Sequence, residues 1–171
     1  MHAGRLLARL PKEPLAAFRL LFLIFSLLSA AALLPRLLLE PTVSGWRHAA
    51  ALVGLGYLCW WWVQGYRRDR FHLPGDIVEF LALATVTLAV SDPQAVLGAF
   101  YIALNFRSSY GSAARAVGGA AVYAVVFVIG GVPSAVPIDT QIASSVGFLL
   151  IGLIVHLLAA TLLRQAKAQA R

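Results

Sequence analysis

Apolar residues come in six continuous stretches, each closed by a short polar break, and none alternates apolar with polar positions. Strands of a membrane barrel would alternate over roughly ten residues, so the pattern predicts helices. They lie at about 15–34, 48–65, 76–90, 93–110, 116–131 and 142–163. A helix needs roughly 20 apolar residues to cross a bilayer core. The first and last stretches reach that length, whereas the third and fourth do so only by drawing in flanking polar residues, the fourth as far as Tyr110. The first stretch follows a basic leader (Arg5, Arg9, Lys12), but it outruns the roughly 7–15 residues of a signal-peptide core and carries Arg19 within it. It reads as a retained helix.

The expectation is therefore an all-α integral membrane protein, a single six-transmembrane-helix bundle over residues 1–171, with 164–171 starting a cytoplasmic connecting helix. Composition agrees: 60% of the 171 residues are apolar and only 12% charged, against roughly half and a quarter in soluble domains. The lone Cys59 excludes an internal disulfide, a CxxC pair and a cysteine-built zinc site.

The net charge of +7 would suggest nucleic acid were it not for its placement. If the helices alternate, Arg5, Arg9, Lys12, Arg67, Arg68, Arg70, Arg107, Arg115, Arg164, Lys167 and Arg171 share one side, and only Arg36 and Arg47 face the other. This is a positive-inside pattern with both termini cytoplasmic. It implies contact with anionic membrane lipids and no nucleic-acid partner. Trp46 at one end of the second helix, and Trp60, Trp61, Trp62 and Tyr66 at the other, fit interfacial anchors. The outer loops (about 35–45, 91–92 and 132–141) are too short for a folded ectodomain.

Ionisable and polar groups inside spans are costly and so are candidate sites for ligand binding or signalling. Six stand out: Arg19, Asp76, Glu79, Tyr101, Asn105 and His156. Each also has a plainer reading. Asp76 and Glu79 follow Pro74-Gly75 and resemble a capping box opening the third helix. Arg19 either snorkels to the headgroups or pairs with Asp76 or Glu79. His156 belongs with Ser145, Gly152 and Ala159 to a small-polar stripe, which is either a packing seam or a ligand, proton or metal site. Tyr101 and Asn105 share a face of the fourth helix. By depth, Arg19, Glu79, Asn105 and His156 would form one polar layer in the cytoplasmic third.

Catalytic signatures are missing: the chain has no phosphate loop, HExxH motif or nucleophile elbow. The expectation is no enzyme, no catalytic residue, no metal and no cofactor. Haem is disfavoured because His48 and His156 lie at different depths.

The segment FYIALNFRSSYGS (100–112), the charged exit LLRQAKAQAR (162–171) and the six-span layout with tiny outer loops resemble the N-terminal membrane sensor regions of bacterial diguanylate cyclases, histidine kinases and membrane adenylyl cyclases. The resemblance implies a homodimer in a bacterial cytoplasmic (inner) membrane. It implies a sensory domain that takes a small apolar or lipid-like ligand and signals through helix six to a cytoplasmic cyclase or kinase domain outside this chain. The alternative is a small transporter or channel-like protein.

Overall fold

The computed structural model describes residues 13–39, 45–90, 93–131 and 136–169. Among these residues there are six helices and no strand: α1 (Pro14–Leu39), α2 (Gly45–Arg68), α3 (Leu73–Leu88), α4 (Pro93–Ser108), α5 (Ala113–Gly131) and α6 (Ile138–Gln169). Arg5, Arg9, Lys12 and Arg171, and the loop positions 40–44, 91–92 and 132–135, lie outside the described residues. The 35–45 loop expected from sequence is shorter, because α1 continues through Pro35 to Leu39.

Three helices, not six, are long and apolar enough to cross a bilayer by themselves: α1, α5 and α6. The other three fall short for different reasons. α2 has 24 residues but is interrupted by Arg47, His48, Gln64, Arg67 and Arg68. α3 and α4 have 16 residues each, about 24 Å of helix against a core of roughly 30 Å.

Neighbour relations explain how such short helices persist. Helices α1, α2, α3, α5 and α6 form a ring, each packed on the next and α6 closing back on α1. α4 stands inside it, packed on α1, α5 and α6. Its Val96 and Phe100 also share a small apolar void with Leu55 and Leu58 of α2 and Leu83 and Val86 of α3. Phe100, Phe106, Tyr123, Phe127 and Phe148 are fully enclosed around this axis, with Phe100 edge-on to Tyr123 at 5.5 Å.

Polarity is inverted relative to a water-soluble bundle. Leu21, Ile24, Phe25 and Leu28 of α1, and Leu150, Ile154, Leu157 and Leu158 of α6, face outward. Ser26, Asp76, Glu79, Thr87, Ser108, Ser109 and Ser144 are buried. Contiguous apolar surface on this scale marks a surface made for lipid. The chain is a helical membrane protein.

Candidate functional site

The buried polar residues gather at one end of the bundle, and the end of α4 organises them. Glu79 sits two turns into α3 and is completely enclosed. Its Oε1 accepts from Trp62 Nε1 at 2.9 Å and Tyr123 OH at 3.0 Å. Its Oε2 accepts from Trp61 Nε1 at 3.2 Å and Arg107 Nε at 2.9 Å. A carboxylate offers about four acceptor positions, and donors from α2, α4 and α5 fill all of them.

Asp76 lies one turn earlier on the same face of α3. One carboxylate oxygen takes Arg107 Nη2 of α4 and the other takes Arg115 Nη2 of α5. Arg107 thus spans both acids, and its guanidinium lies 3.8 Å above the Phe71 ring. Desolvated charges persist only with such complete pairing.

The capping-box expectation for Asp76 and Glu79 fails. Helix α3 starts four residues earlier than the box requires, with His72 at the N-cap, no side-chain cap, and Pro74 in the first turn. Asp76 is thereby carried inside the helix and aimed at the two arginines. The interfacial-anchor expectation fails for Trp61 and Trp62, which are buried and bonded to Glu79. Trp60, half exposed, points outward.

Arg19 pairs with neither Asp76 nor Glu79. Its guanidinium takes Asp69 through Nη1, donates from Nη2 to the Ser109 carbonyl at 2.8 Å, and lies 4.0 Å above the Tyr110 ring. Asp69 reaches it because α2 ends in a Schellman turn. Arg70 N–H bonds back to Gly65, Asp69 N–H bonds to Tyr66, and Asp69 takes the left-handed conformation at φ 52°. Burial pushes the Tyr110 phenol above its ordinary value, so it lies beneath the cation as a neutral hydroxyl.

His156 of α6 donates from Nδ1 to the Ser108 carbonyl at 3.2 Å. On the same stripe, Gly152 packs against Ala120 and Ser108, as in a helix-packing seam. Tyr101 is elsewhere: its hydroxyl donates to the Ser144 carbonyl at 3.2 Å in the opposite half of the bundle. Asn105 Oδ1 is buried without a hydrogen-bond partner among the described residues.

The expected polar layer of Arg19, Glu79, Asn105 and His156 is therefore not one contact cluster. Arg19, Glu79 and His156 are joined indirectly, through consecutive residues 107–110 at the end of α4. Arg107 holds the acids of α3, the Ser108 carbonyl holds α6, and the Ser109 carbonyl and Tyr110 hold α1.

The chain matches none of the family models, curated proteins or solved structures with which it was compared. Nothing in these comparisons identifies a sensor region, and chemistry must be argued from the site itself. Among the described residues no cluster of His, Cys, Asp or Glu could hold a metal ion. What the arrangement does physically is couple: four helices and the α2–α3 turn meet at one turn, with α1 and α3 joined through charge-assisted arginine bonds and α6 through the His156–Ser108 hydrogen bond.

Sequence reasoning missed Trp61, Trp62, Tyr123, Asp69, Tyr110 and the bridging role of Arg107. A signal was present for two of them. Adjacent tryptophans near a span-embedded carboxylate supply N–H donors, and need not be headgroup anchors.

Proposed function

We propose that this chain is a signalling domain of a bacterial cytoplasmic membrane. All six helices lie in the bilayer, and the α4–α5 turn passes changes in the bundle to α6. The observation that carries this reading is the linkage through residues 107–110, which ties α1 and α3 to the Ser108–His156 bond on α6. Beyond His156, α6 runs unbroken to Gln169, about 20 Å further, and bears exposed Arg164 and Lys167. That segment is a lever whose position depends on the turn.

Membrane placement of the shorter helices is supported by their outward residues. α2 exposes Val53 and Trp60, and α3 exposes Leu73, Ile77, Leu81 and Leu88. α4 is mostly covered by its neighbours, with Gly98 exposed and Tyr101 and Ile102 partly buried. Arg67, Arg68, Arg70, Arg115, Arg164 and Lys167 belong to the end that carries the ion network, which supports a cytoplasmic assignment for that end. A stimulus would act by binding two arrangements of the turn with different affinity. Transport is less well supported, because protein donors fill every acceptor position of Glu79 and leave it no free lone pair for a cargo or a proton-carrying water.

Electron-spin distance measurements on the full chain in liposomes test the relay. Labels go on Arg68→Cys and Arg164→Cys in a Cys59→Ala background. Introducing His156→Phe, which cuts the last link, or Arg107→Gln, which cuts an earlier one, should displace or broaden the 68–164 distance by about 1–2 Å or more. Unchanged distributions in both folded variants would refute it.

A further inference from the structure

A crevice of about 300 Å³ opens between α3 and α5 beside the ion network, lined by Leu73, Asp76, Phe80, Arg107, Arg115, Gly118, Gly119 and Val122. Its two ends differ in chemistry. Asp76, Arg107 and Arg115 make one end polar, while Phe80, the glycines and Val122 make the other apolar. Arg115 and Val122 are seven residues apart on α5, so the gradient runs about 10 Å along the helix, from the basic end toward mid-bundle.

We propose that this crevice seats one anionic phospholipid of the cytoplasmic leaflet, with its phosphate on Arg115 and an acyl chain along Gly118, Gly119 and Val122. The proposal rests on the signalling reading and names its ligand class.

Three observations carry it. Arg115 is the accessible member of the network: its side chain is 38% exposed, against 11% for Arg107. It spends one guanidinium nitrogen on Asp76, while a guanidinium carries five N–H donors in a fork suited to phosphate. The floor of the crevice is bare backbone, because a Cβ added at Gly118 or Gly119 would meet nothing within 4 Å. That floor opens among exposed apolar side chains, Leu73 on the crevice itself and Ile77 and Val117 next in sequence to its lining residues Asp76 and Gly118, so the opening faces lipid.

The third observation lies deeper. A chamber of about 20 Å³ adjoins the crevice through their shared residues Phe80, Arg107, Arg115 and Gly119, and is also lined by Ser108 and Tyr110. Both residues are more than nine-tenths buried, and both hydroxyls have no hydrogen-bond partner among the described residues. The chamber has room for about one water-sized group, such as a headgroup oxygen reaching in past Arg115. Ser108 and Tyr110 belong to the relay turn, so an occupant would touch the element proposed to move α6.

Native mass spectrometry of the full chain from mild detergent is the test. Phosphatidylglycerol, phosphatidylcholine with matched chains, and inorganic phosphate are titrated separately. Phosphatidylglycerol should be retained one-to-one, preferred over phosphatidylcholine by about tenfold, and not displaced by inorganic phosphate. Arg115→Gln should remove the headgroup preference. Gly119→Leu, which leaves every ion pair in place, should lower retention of both lipids by filling the floor.

Equal retention of the two lipids, effective competition by phosphate alone, or full retention in Gly119→Leu would each overturn the proposal. The distance measurement above separates the two readings. If His156→Phe moves α6 and lipid selectivity is absent, the ligand assignment falls and the relay stands. If selectivity holds and α6 never moves, the crevice is a lipid site without a signalling role.

Discussion

At the basic end of the bundle, Asp76, Glu79, Arg107 and Arg115 of α3, α4 and α5 interlock, and every acceptor position of Glu79 is taken. In the opposite half, helices meet through backbone. His48 bonds the Leu37 carbonyl, Tyr101 the Ser144 carbonyl, and Gly54 lets α2 close onto Ala82 and Thr85 of α3. Backbone contacts of this kind are short-range and tolerate small slides. Charge-assisted bonds fix partners and angles, so losing one member strands the others. The basic end is therefore held by specific charged partners, and the other end by close packing and backbone contacts.

The largest expected effect is at Glu79. Glu79→Ala strands two indole N–H groups, the Tyr123 hydroxyl and one Arg107 donor, and should cost about 3–5 kcal/mol in detergent unfolding titrations. A loss under about 1 kcal/mol would erase the contrast between the ends.

Next come two glycines of α2 that share a helix and differ only in what faces them. A Cβ at Gly54 would lie 2.7 Å from Thr85 Oγ1 and 3.2 Å from the Ala82 carbonyl, whereas one at Gly56 meets nothing within 4 Å. Gly54→Ala should destabilise by about 1–3 kcal/mol. Gly56→Ala should stabilise by up to about 1 kcal/mol through helix propensity. The same titration should show opposite signs, and equal shifts would remove the close-packing account of that half.

Tyr101→Phe deletes one neutral interhelical bond and should cost about 0.6 kcal/mol, the usual scale for such bonds in membranes. The smallest effect belongs to Asp69→Asn. Asp69 is 74% exposed, and an exposed ion pair contributes roughly 0–1 kcal/mol. Even so, the variant should loosen the α2–α3 turn in hydrogen exchange, because Arg19 would lose the partner that positions it.

How much of this was legible in the sequence follows from which physical quantity decides each feature. Helical class and the positions of the apolar stretches follow from hydrophobicity along the chain, which is local. Hydrophobicity did not show that only α1, α5 and α6 suffice as spans by themselves, because a short helix such as α4 is sustained by neighbours from distant sequence. Asp76 and Glu79 stand out in the sequence as span-embedded acids, and their three-residue spacing also fits a local cap. Their true partners lie 17 to 44 residues away in the chain, and no periodicity encodes that. Trp61 and Trp62 are hidden from local reading for the same reason. An indole near a helix end fits a headgroup anchor until a buried carboxylate is found beside it.

The enclosed position of α4 has a consequence for how the chain is made. A helix of 16 residues packed on α1, α5 and α6, with Arg107 in its last turn, is a poor candidate for release into lipid one segment at a time by an insertion machinery. α3, equally short, carries the two acids that neutralise that arginine. If both helices enter the bilayer, as proposed, each inserted singly would bring unpaired charge into hydrocarbon; the two pack mainly on other neighbours, yet entering together lets Arg107 pair with Asp76 and Glu79. Biogenesis should thus hold α3 and α4 back as one unit, and arrest of synthesis between them should leave α3 exposed to quality-control proteolysis.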